Sequence, residues 1–149
     1  EPGILFPEPI PTGYAVPPAG SAWITLAEDA IGPEPATTDY TLKFDIPEEC
    51  TLVDLFLCVA ADNCYSMECN GVAVGNCGGL DCPCDDRFCF EALHSHTIPA
   101  IALVHGENTL VVKVCNWSDL GLTESLTGLL VVWGCGDGGG EGSGGGSGS

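Results

Sequence analysis

The chain reads as an all-β protein, an antiparallel β-sandwich that is disulfide-rich and carries an extended Pro-rich N-terminal arm. Three observations predict it. Apolar residues recur in short runs with a period of two; Gly, Pro and Asn punctuate those runs; and ten cysteines stand among 149 residues, eight of them between Cys50 and Cys89. A period of two puts one face of a strand into a core, whereas a helix repeats its apolar positions every three or four residues.

Three zones follow one another. Residues 1–20 hold six prolines, which forbid helix and central-strand pairing and favour an extended arm. Ile4, Leu5, Phe6, Ile10, Tyr14 and Val16 make that arm greasy. Its apolar groups are expected to lie on something, either the arm's own domain or a neighbouring subunit, where it would form a polymer contact. Residues 21–135 form the folded body. Residues 136–149 are Gly/Ser-rich low complexity and should add nothing to a core.

Within the body, Tyr40–Ile46 alternates, with Tyr40, Leu42, Phe44 and Ile46 on one face. Thr51–Ala61 is an apolar run of buried-strand length. Cys64–Cys69 leads into Asn70-Gly71, the strongest short hairpin signal, and Val72–Val74 returns from it. Thr109–Cys115 alternates Leu110, Val112 and Val114 against Thr109, Val111 and Lys113. Leu126–Trp133 supplies the last strand. The one helix-like stretch is short, around Phe88–His94. Such strands pack as two layers.

The cysteines point to a compartment. At this density thiols persist as disulfides or as metal ligands. Their even number and their placement in β-like runs predict up to five disulfides among Cys50, Cys58, Cys64, Cys69, Cys77, Cys82, Cys84, Cys89, Cys115 and Cys135. Each would add about 2–4 kcal/mol by restricting the unfolded chain. Cys82 and Cys84 are too close for easy mutual bridging, and Cys64 is expected to pair with Cys69 or Cys77 around the hairpin. The chain opens at Glu1 without Met, so the expectation is an extracellular or cell-surface protein whose signal peptide has been removed.

Charge excludes some partners. Twenty-one Asp and Glu face three cations, Lys43, Arg87 and Lys113, for a net charge of −18. Nucleic acid and anionic membranes demand a basic face, which this composition cannot supply. No apolar run reaches the ~18 residues of a membrane span, so direct insertion is not expected. Only 16% of residues are charged and 45% are hydrophobic. The carboxylates either keep the surface soluble or hold Ca²⁺, which prefers oxygen ligands.

The ordered series Ala22-Trp23-Ile24, DYTLKFDIP at 39–47, Ala60-Ala61-Asp62-Asn63, NGVAVG at 70–75, HGENTL at 105–110, Asn116 and TGLL at 127–130 resembles the galactose-binding-domain-like jelly rolls. The resemblance runs from Trp23 to Trp133. It implies a jelly-roll sandwich of the kind found in secreted bacterial and archaeal surface proteins and beside glycoside hydrolase domains, whose members bind glycans or serve as spacers. Cys77–Cys89 departs from that pattern as a Cys-rich insertion.

Several groups invite a chemical reading. Cys77, Cys82, Cys84 and Cys89 lack the usual spacing of zinc knuckles and read as disulfide cysteines. Asp81, Asp85, Asp86 and Glu91 share one loop, where Ca²⁺ would relieve their repulsion. His94 and His96 fall on one face of an extended strand, and His105 opens a turn. Asn116-Trp117-Ser118 is an N-glycosylation sequon. Trp23 and Trp133 sit at core positions, which leaves Trp117 as the tryptophan placed to meet a sugar ring. No nucleophile elbow, zinc-protease helix or phosphate loop is present, and no catalytic function is expected. The reading is therefore a non-enzymatic structural subunit of an extracellular filament, surface layer or matrix. It would form a homo-oligomer or polymer partly through its arm. A carbohydrate-binding or Ca²⁺-dependent adhesion module is the alternative.

Overall fold

A computed structural model describes residues 4–5, 13–18, 21–25, 31–33, 36–82, 84, 88–117 and 124–134. Phe6, Ile10, Asp85, Asp86, Arg87, Cys135 and the Gly/Ser-rich tail lie outside the described residues.

Among the described residues eleven strands carry the fold: β1 (Ile4–Leu5), β2 (Ile24–Thr25), β3 (Ile31–Pro33), β4 (Ala36–Ile46), β5 (Leu55–Asp62), β6 (Cys64–Cys69), β7 (Val72–Cys77), β8 (His94–Ile98), β9 (Gly106–Asn116), β10 (Glu124–Leu126) and β11 (Gly128–Trp133). They form a five-stranded sheet in the order β1-β2-β11-β5-β8, a four-stranded sheet in the order β4-β9-β6-β7, and a β10-β3 ribbon. Every pairing is antiparallel. The disulfide-rich sandwich expected from the alternation is present.

The alternating positions meet between the sheets. Leu57, Val59, Ala61 and Leu129 from one layer pack with Tyr40, Met67, Leu110, Val112 and Val114 from the other. Fully burying one such aliphatic side chain contributes about 1.5–3 kcal/mol. Phe44 and Trp133 meet edge to face at 5.2 Å, as ring quadrupoles prefer. Asn70 and Gly71 take the positive φ values, 51° and 85°, of a tight hairpin between β6 and β7.

A second, smaller apolar cluster covers the back of the five-stranded sheet. Ala60 and Leu130, register partners on β5 and β11, point away from the main core and are roofed by Tyr14, Ala15 and Trp23, with Phe90 and Leu93 beside them. Tyr14 packs on Trp23 at 4.7 Å and on Phe90 at 5.1 Å, and its hydroxyl donates to Asp62. Ala15 closes the roof, donating its N–H to the Phe90 carbonyl and accepting from the Trp23 indole.

Five expectations need correction. Tyr14 is not available as a subunit contact, because a flat apolar sheet back in its own domain buries it to 9% exposure. Phe88–His94 forms turns, not a helix; the described helix is a single 3₁₀ turn, Ala100–Ala102. Leu126 belongs to the β10 ribbon, since the last strand of the large sheet begins at Gly128. Cys64 bonds to Cys84, and Cys77 to Cys89, so neither closes the hairpin. Cys50 and Cys69 are free thiols, one exposed and one buried in the core.

Candidate functional site

The sulfur framework positions one side of the molecule. Cys64 on β6 stands opposite Cys115 on β9, both turned away from the Tyr65–Val114 core pair that follows in register. The loop after β7 folds back over this face and delivers Cys82 and Cys84, which bond to Cys115 and Cys64 respectively. Cys77, opposite Tyr65, faces inward at the sandwich edge and bonds to Cys89. Cys58 is disulfide-bonded as well. The backbone of Asn63 holds the loop down: its N–H donates to the Cys115 carbonyl and its carbonyl accepts from Cys89. Each of Cys82 and Cys84 finds a separate partner, as the short spacing demands.

These sulfurs floor a cleft of about 150 Å³. Thr37, Ser66 and Lys113 line it from the sheet, and Gly79 to Asp81 from the loop. Lys113 Nζ lies 3.4 Å from Asp39, and Lys43 Nζ 3.8 Å from Glu107. Both cations are thus shared with carboxylates on the neighbouring strand. Such exposed pairs are worth at most about 1 kcal/mol.

Trp117 is half-buried against the core, its indole N–H donating to Cys84 Sγ at 3.0 Å and its backbone N–H to Asn63 Oδ1 at 2.8 Å. Both of its N–H groups thus serve the sulfur cluster and the loop beside it. In the sequon, Asn116 is 4% exposed and its Nδ2, the atom a glycan would take, donates to the Gly32 carbonyl at 3.0 Å. Asp81 and Glu91 are solvent-exposed. Among the described residues the groups close enough to hold a metal are Cys64/Cys84/Cys115 and Cys77/Cys89/His94, and neither contains a carboxylate.

His94 and His96 do share a face of β8, turned toward β7. His96 Nε2 and the Tyr65 hydroxyl share a hydrogen bond of 2.6 Å, and His94 Nε2 sits 3.6 Å from Cys77 Sγ. A Cβ on Gly75 would run into the His96 ring, so glycine at that position admits the histidine. Burial, then the neighbouring His94, pulls the His96 pKa below its usual value.

One surface had no signal in the sequence. The loops joining β4–β5, β6–β7 and β8–β9 gather at one end of the sandwich. Asn108, fully buried, ties the last two: its Oδ1 accepts from Asn70 Nδ2 and from the Val104 N–H, and its Nδ2 donates to the Val104 and Gly106 carbonyls. Asn70 also donates to the Ala102 carbonyl, while His105 reaches the Cys50 carbonyl and Asp54 accepts from the Ala100 N–H. The end so built exposes Ile101 at 92%, with Val53, Val72 and Val104 around it. An apolar groove of about 140 Å³ runs into it between Ile46, Pro47, Val53 and Leu55, beside the free Cys50.

No family model and no curated protein matches the chain. A solved structure does: the alpha-L-rhamnosidase of Streptomyces avermitilis, complexed with L-rhamnose, is similar at a TM-score of 0.50 and 20% sequence identity. The match covers 89% of this chain and 10% of the enzyme's. The likeness is one of fold. This chain spans about a tenth of that enzyme's length.

Disulfides on three sides of one loop fit an oxidising compartment. No helix among the described residues is long and apolar enough to cross a membrane.

Proposed function

We propose that this chain is an extracellular, non-catalytic structural module of the galactose-binding-like type that self-associates through its apolar end. The observation that carries the reading is the cluster of Val53, Val72, Ile101 and Val104, exposed on a protein of net charge −18. Apolar groups gathered at one place on an acidic surface mark an interaction site more often than chance exposure. Hydrogen bonds of Asn70 and Asn108 join two of the three connections, and those of Asp54 and His105 join the third, so little ordering entropy is lost on contact. The arm contributes in a reduced form: Leu5 at 68% and Val16 at 84% exposure stay outward, and β1 is an edge strand open to pairing.

Sedimentation velocity over a concentration series tests this. The full chain should show a concentration-dependent larger species, and Ile101→Ser/Val104→Ser should lose it while keeping the wild-type circular dichroism spectrum. A monomer at every concentration rejects the reading.

The polar cleft favours a second reading, a glycan-binding module. Its Thr37, Ser66, Asp81 and Lys113 offer both donors and acceptors, and the fold is shared with a unit of a rhamnose-complexed enzyme. Against it, the outer face of the four-stranded sheet bears no exposed aromatic ring among the described residues. A glycan array with wild type and Lys113→Ala separates the two readings: retention of a sugar by wild type alone would favour the glycan module.

A further inference from the structure

We propose that the sulfurs of Cys64, Cys82, Cys84 and Cys115 form a binding site for a soft divalent cation such as Zn²⁺, which a dithiol reductant opens.

The Sγ atoms of Cys64, Cys84 and Cys115 all lie within 4.8 Å of one another, and Cys82 is bonded to the last of them. Four thiolates around a tetrahedral Zn²⁺, each at about 2.3 Å, sit about 3.8 Å apart edge to edge. Breaking the two bridges therefore asks for shifts of an ångström or two, which a loop can supply. Two ligands come from neighbouring strands in direct register and two from one turn, a division that leaves the loop half free to adjust.

Access and surroundings agree with the geometry. Cys64, Cys82 and Cys115 line the cleft; Cys82 is part-exposed and is the sulfur a reductant meets first, while Cys64, Cys84 and Cys115 are buried behind it. The Trp117 indole N–H already points at Cys84 Sγ, the kind of outer donor that steadies a metal thiolate. Lys113, on the same cleft, offsets part of the charge of a tetrathiolate. The acidic chain as a whole draws cations toward it. The neighbouring Cys77/Cys89/His94 group offers three donors and serves as the internal comparison.

The chemistry balances. Each disulfide takes two electrons and two protons from one dithiol, which leaves as its own disulfide. The four resulting thiols give up four protons as the cation binds.

The test uses the full chain, reduced anaerobically with a phosphine, which takes up water's oxygen as its oxide, and then freed of reductant. Co²⁺ alone is titrated in, followed by Zn²⁺. The expected result is one strongly held Co²⁺ per chain with tetrahedral ligand-field bands and intense thiolate charge transfer, displaced by Zn²⁺. Cys64→Ser/Cys84→Ser should weaken binding at least about tenfold and halve the charge-transfer intensity, whereas Cys77→Ser/Cys89→Ser should keep both. Three results overturn the proposal: no uptake by the reduced chain, uptake unchanged in Cys64→Ser/Cys84→Ser, or uptake lost only in Cys77→Ser/Cys89→Ser. Circular dichroism on the same samples covers loss of structure. A reduced chain that unfolds and is not refolded by Zn²⁺ also overturns it, because a structural site contributes folding energy.

Discussion

Asn70 donates from its Nδ2 to Asn108 Oδ1 at 2.8 Å, joining the β6–β7 hairpin to the start of β9. Asn70 Oδ1 completes the link by accepting from the Thr109 N–H at 2.9 Å. Asn108 is fully buried and engaged on both sides of its amide. Replacing it by alanine would strand the Val104 N–H and leave Asn70 Nδ2 with the Ala102 carbonyl alone. Asn108→Ala should therefore lower stability by about 1–3 kcal/mol, read as a fall in the urea midpoint at unchanged slope. Self-association should weaken with it, since the same amide shapes the apolar end.

The arm is predicted to stabilise its own domain. Tyr14 contributes a buried ring stacked between Trp23 and Phe90. Truncating a buried aromatic costs about 3–5 kcal/mol. Tyr14→Ala should approach that loss in a thermal or urea melt, while Val16→Ser, at an exposed position, should leave the midpoint unchanged.

Alkaline titration should set this protein apart. Its three tyrosines, Tyr14, Tyr40 and Tyr65, are all buried. Burial pushes Tyr40 up to about 12. It pushes Tyr65 up, and burial followed by the Asp62 charge pushes Tyr14 up. An unfolded tyrosine ionises near 10. The folded values are raised, so the stability they contribute is complete below about pH 10 and is lost as pH rises above it. Tyrosinate absorbance should stay flat through the ordinary range and then rise together with loss of the fold.

His96 gives the opposite limb. Its pKa is depressed by burial and by His94, so the neutral ring is favoured in the folded state. That contribution is present above the unfolded value of about 6.5 and is lost as pH falls through it. Wild type should lose stability relative to His96→Gln between pH 7 and 5. Gly75→Ala should disturb the same contact at every pH by driving a Cβ into the ring.

Much of the fold was legible because strands announce themselves locally. The alternation of Leu110, Val112 and Val114 and the Asn70-Gly71 turn depend on residues a few positions apart. What stayed hidden depends on distant pairs. Nothing in the sequence near Tyr14 says that Ala60 and Leu130 will leave an apolar sheet back to cover. Nothing near Asn116 says that Gly32 will accept its amide. The sulfur pairing was equally non-local: Cys64 looks toward its own hairpin in sequence, yet the returning loop brings Cys84 to it. The apolar end was missed for the same reason. Val53, Val72, Ile101 and Val104 are single residues in or beside three different connections, which Asn70, Asn108, Asp54 and His105 bring to one end.

Peptide mapping of the non-reduced full chain, alkylated in denaturant before digestion, tests the disulfide-stapled sandwich most directly. The account predicts linked peptides joining Cys64 to Cys84, Cys77 to Cys89 and Cys82 to Cys115, with the label on Cys50 and Cys69. A peptide joining Cys64 to Cys69, or label on Cys82 and Cys84 in protein that was never reduced, would contradict it.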